Sequence, residues 1–196
     1  MSTVDPRFIA GTGTLLGGFS LYMFSRLDAA TGASDVLHAA TGGDHLGHTV
    51  SYWTDLAPWI TLMSFAMGLT FVPMMMAALH HVREHDAGVG SGVLNTMQQV
   101  GGALGLAILS TVAAHYTTQH LASIGGSLQG LGGQLAGVDQ GALQQQTYVA
   151  AFSFGATQAF LVGAFMMWAA SAIVWIFLNV KHEEMATDAA PEGVAV

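Results

Sequence analysis

Four long stretches of this chain hold no Asp, Glu, Lys or Arg: residues 8–25, 56–82, 87–138 and 140–180. Each contains an apolar run of about 18 residues or more, enough as a helix to cross the ~30 Å hydrocarbon core of a bilayer. The pattern predicts an all-α integral membrane domain over 1–180, with about four spanning helices at 8–27, 55–79, 93–115 and 151–180. Polar residues fill the intervals. Segments 28–54 and 116–150 read as loops on an aqueous side, 80–91 as a short link, and 181–196 as a disordered tail. Within 116–150, Leu121, Ile124, Leu128, Leu131, Leu135 and Val138 alternate spacings of three and four, which suits an amphipathic surface helix. Its many glycines each cost a helix interior about 1 kcal/mol, so the expectation there is loop with partial helix.

Composition sharpens this picture. Charged residues make up 8% of the chain, against roughly 25% in a soluble domain; a water-facing surface cannot be built from so few. The net charge of −8 comes from acids in loops and tail, and four basic residues cannot form a phosphate-binding surface, which argues against nucleic acid as a partner. Cysteine is absent, so neither a disulfide framework nor thiol chemistry is available. Arg7 ahead of an apolar run, with Ala29 and Ala30 behind it, has the outline of a secretory signal. The run of about 20 residues exceeds the usual signal core, which favours a retained span. Arg7, Arg83 and Lys181 fall on one side of a four-span chain and Arg26 on the other, which places both termini in the cytoplasm and the protein in the cell membrane.

Candidate chemistry is concentrated in the spans. Gly13 and Gly17 form a small-xxx-small pair, read either as a helix contact or as the ordinary glycine content of spanning helices. Tyr52, Trp53 and Trp59 mark an interfacial belt, and Pro58 suits a first helical turn. Pro73 lies deep in the second span and predicts a kink, either useful to a moving helix or static. Met63, Met67, Met74, Met75 and Met76 offer a soft surface for promiscuous binding, or ordinary core and lipid-facing positions. On the third span, Asn95, Gln98 or Gln99, Gly102 and Gly105 share one side, which cannot face lipid cheaply; Gly101 adjoins them. These six residues are candidates for a substrate pathway or for helix packing. His80, His81 and His85 beside Glu84, and His38, His45 and His48 in the first loop, read as solvated clusters rather than metal sites. The glycines of AGVGSGV lack nucleotide-loop spacing, and no catalytic triad can be assembled. No enzyme activity, metal or cofactor is therefore expected.

The stretch GLTFVPMMMAALHHVREHDAGVGSGVLNTMQQVGGALGLAILSTV, residues 68–112, resembles the late helices of the fourteen-helix drug:proton antiporters of the major facilitator superfamily, the EmrB/QacA type. Gly68, Pro73, Gly88, Ser91, Gly92, Asn95, Gln98, Gln99, Gly101, Gly102 and Gly105 carry the likeness. The resemblance implies that the spans correspond to helices eleven to fourteen, part of a C-terminal half-bundle, with DPRFIAGTG as the cytoplasmic entry to the first. It further implies partners: the lipid bilayer, an N-terminal half that this sequence lacks, and a hydrophobic or cationic small molecule exported against protons. The spans hold no acid, so the protonation site must lie elsewhere in such a machine. A lone C-terminal piece cannot complete an alternating-access cycle. The competing expectation is a small non-catalytic membrane scaffold or regulator that associates through its glycine faces.

Overall fold

Lipid offers the backbone no hydrogen-bond partner, so a charge-free run must satisfy its own amides and carbonyls, and a helix does so within one segment. The computed structural model describes residues 6–27, 32–42, 51–79, 82–132 and 137–177. They form α1 (Pro6–Ser25), α2 (Ala33–Ala40), α3 (Ala57–Leu79), α4 (Ala87–Gly130) and α5 (Gln140–Phe177), with no strand among the described residues. A wide π turn over Tyr52–Leu56 leads into α3, and a tight turn over Glu84–Asp86 leads into α4. Helices α1, α3, α4 and α5 are each long and apolar enough to cross a membrane. The expected tail at 181–196 lies outside the described residues.

Acidic side chains mark the helix starts. Asp35 accepts the Gly32 N–H at 3.0 Å, Asp55 the Ser51 N–H at 2.7 Å and Asp139 the Gly141 N–H at 2.9 Å. Asp86 stands at the N-cap of α4. A carboxylate there complements the positive end of the helix dipole, and Asp35, Asp55 and Asp139 each also take up a backbone donor.

Helix α1 lies between α3 and α5, and glycine makes the approach possible. A Cβ on Gly13 would sit 2.6 Å from Thr70 Oγ1 and 2.9 Å from the Ala66 carbonyl of α3; one on Gly17 would meet the Met167 methyl at 2.6 Å. On the α5 side, Gly11 lies against Trp175 and Gly18 against Trp168. Of the two readings of Gly13 and Gly17, the packing one describes the structure. Two hydroxyls tie the same trio: Ser20 donates to the Trp59 carbonyl at 2.7 Å, and Ser171 to the Gly11 carbonyl at 2.9 Å. The methionines divide likewise. Met63 reaches the Gly17 contact, whereas Met74, Met75 and Met76 are exposed.

Helices α4 and α5 have 44 and 38 residues, or about 66 and 57 Å at the α-helical rise, well beyond the ~30 Å hydrocarbon core. They thus extend through much of 116–150, where loop with partial helix is the sequence expectation. The reason is burial. Ile124 and Leu128 of α4 pack with Leu143, Ala150 and Ala151 of α5 and Val36 of α2. Burying each large aliphatic side chain stabilises by about 1.5–3 kcal/mol. Together they outweigh a penalty of about 1 kcal/mol at each of Gly125, Gly126 and Gly130.

Candidate functional site

The α4 helix begins where the link ends, with Asp86 at the N-cap position and Arg83 3.9 Å from it in an exposed ion pair. At about 100° per residue, Gly88, Ser91, Gly92, Asn95, Gln98, Gln99 and Gly102 fall within one arc of about 120°. Gly105 lies at its margin and Gly101 outside it. The same arc continues down the helix through Leu109, Ala113, Thr117, Ile124 and Leu128.

Its two halves have different surroundings. In the C-terminal half α5 covers it. Gly155 brings the α5 backbone against Ala113 and Thr117, a Cβ on Gly163 would lie 3.7 Å from Leu109, and His120 stacks on Phe154 with ring centroids 4.3 Å apart. In the N-terminal half the described residues leave it bare. No described atom outside the helix lies within 4 Å of a Cβ placed on Gly88, Gly92, Gly101, Gly102 or Gly105. None of the α4 apolar window is buried, against 39% of the α1 window.

Asn95, Gln98 and Gln99 are exposed on this bare half and have no hydrogen-bond partner among the described residues. Neighbouring hydroxyls are already committed, Ser91 to the Ala87 carbonyl at 3.0 Å and Thr96 to the Gly92 carbonyl at 2.9 Å. Leaving an amide in hydrocarbon without a partner costs roughly 2–7 kcal/mol. Such a face calls for another protein surface or an aqueous cavity. Chemically it offers neutral donors and acceptors beside a backbone stripped of side chains, and no group that titrates.

Pro73 is buried within α3, which runs past it to Leu79; the ring nitrogen cannot donate to the Leu69 carbonyl. His85 and His38 are exposed, while His80, His81, His45 and His48 lie outside the described residues. Among the described residues no three His, Asp or Glu side chains gather as a metal site. Two features went unforeseen in the sequence: the matched arc joining the two halves of α4, and α2, whose one signal is Asp35 three residues after Gly32.

A chain with this bare face is similar to parts of larger transporters. It is 42% identical over 76 residues to a puromycin resistance protein of Streptomyces alboniger, a match covering 39% of this chain and 15% of the relative. An uncharacterized MFS-type transporter of Mycobacterium tuberculosis is 33% identical over 115 residues, 58% of this chain and 19% of the relative. A probable actinorhodin transporter of Streptomyces coelicolor is 36% identical over 72 residues, 37% of this chain and 12% of the relative. The matched segments thus span less than a fifth of these relatives. No protein-family profile and no solved structure matches the chain. Its four apolar helices and its similarity to membrane transporters make this a multi-pass membrane protein.

Proposed function

We propose that this chain supplies four helices to a major facilitator exporter of drug-like, hydrophobic or cationic compounds, driven by inward proton flow. The observation that carries the reading is the half-covered arc of α4. Its Asn95, Gln98, Gln99, Gly102 and Gly105 lack, among the described residues, a neighbour that their chemistry requires. A helix from the remainder of the exporter docks there, with the glycines permitting close approach and the amides bonding across the contact. Relatives named for puromycin resistance and actinorhodin transport support the substrate class. Apart from Arg7 in the first turn of α1, the described membrane helices hold no Asp, Glu, Lys or Arg, so the proton is carried by an acid on the remaining helices.

In everted vesicles, the chain alone shows no proton-driven uptake of puromycin, and the chain assembled with the remaining helices does. Gly102→Leu in the assembled exporter lowers transport by about tenfold, the equivalent of about 1.4 kcal/mol, without changing the amount in the membrane. Robust uptake by the chain alone, or unimpaired transport by the Gly102→Leu variant, overturns the reading.

A further inference from the structure

Away from the bare arc, the ends of α4 and α5 enclose an open cavity of about 780 Å³. The volume falls in the range of small-molecule sites, about 300–1,000 Å³. Its floor is apolar, with Leu121 and Leu128 from α4 and Leu143 from α5. The wall is made by the first turns of α5, where Gln140, Gln144 and Gln145 present side-chain amides and Tyr148 stands at the rim, 57% exposed. Among the described residues no Asp, Glu, Lys, Arg or His lines it. The nearest carboxylate by sequence, Asp139, is engaged with the Gly141 N–H. The three glutamine amides have no hydrogen-bond partner among the described residues, so their donors and acceptors are available to a guest.

We infer that this cavity binds an uncharged, drug-sized amphiphile with a planar ring and amide or hydroxyl groups. The ring lies over the leucines and against Tyr148, and the polar groups pair with the glutamine amides. An ionic guest gains no counter-charge from these walls. Occupancy of the cavity is independent of whether the chain takes part in export.

The absence of cysteine makes a clean test possible. A single-cysteine Gln144→Cys variant of the full chain in lipid nanodiscs is labelled with N-ethylmaleimide, with and without the neutral probe 7-amino-4-methylcoumarin. Bound probe shields the thiol saturably, slowing labelling about threefold at a probe concentration about twice its Kd. Ser123→Cys, on the far side of α4, is labelled at an unchanged rate. Adding Gly125→Trp to Gln144→Cys fills the cavity and removes the protection; a Cβ at Gly125 meets nothing within 4 Å, so the backbone accepts it. The anionic coumarin-3-carboxylate gives no protection. The inference is overturned if labelling at position 144 is unaffected up to the solubility of the probe, if position 123 is protected equally, or if the anion protects as well as the neutral compound. Because the readout is thiol reactivity, failure here leaves the export reading intact, and loss of export leaves the cavity intact.

Discussion

Glycine serves two purposes in this chain, and substitution separates them. Gly13→Leu drives a side chain into the Ala66 carbonyl and Thr70 of α3, and overpacking of that kind costs about 1–3 kcal/mol. Unfolding of the chain in mixed micelles reports it as a lowered midpoint. Gly102→Ala, in contrast, meets open space and removes a poor helix former. In the chain by itself it leaves stability unchanged or raises it by up to about 1 kcal/mol in the same assay. Ser20→Ala removes the hydrogen bond to the Trp59 carbonyl at a cost of about 0.6 kcal/mol, the average for such bonds between membrane helices. A single sequence did not distinguish these glycines, because a glycine's role depends on which neighbour reaches it. Gly13 and Gly17 look like Gly101 and Gly102 in the sequence, yet α3 and α5 fill the surroundings of the first pair and no described residue those of the second.

Among the elements, α1 and α3 were legible in advance: charge-free runs bounded by charged or polar residues give nearly their observed limits. The α4–α5 hairpin was not. Its helical spacing was visible in Leu121, Ile124 and Leu128, but glycine propensity argued for loop, and only burial against Leu143, Ala150 and Val36 decides between them. Ile124→Ala therefore acts locally, at a cost of about 2–5 kcal/mol. Amide exchange accelerates across residues 117–130 and 140–151 while α1 keeps its protection; equal loss in α1 would show that the hairpin is not a separate unit. A single cysteine at Ser127 reacts with a membrane-impermeant maleimide, whereas one at Val100 does not, because the length of α4 places only one of them beyond the hydrocarbon.

For the whole molecule, the candidate site was half legible. The sequence placed Asn95, Gln98, Gln99 and Gly102 on one side of a helix, but it could not show that this side continues into a surface already occupied by α5. The arrangement predicts its own topology. Four crossings by the described helices are expected to put epitope tags at residues 1 and 196 on the same face of the membrane, which we propose from the distribution of basic residues is the cytoplasmic one. Protection of one tag alone from added protease in sealed vesicles contradicts the four-span arrangement. The small core of Val36, Ile124, Leu128 and Leu143 has a thermal consequence. Exclusion from water holds it together, and that force weakens on cooling, whereas tight glycine contacts in an oily surrounding do not depend on water in this way. Chilling should loosen the hairpin before the α1–α3–α5 trio, so that cold gives a polypeptide frayed at its water-facing end while the part within the lipid stays assembled.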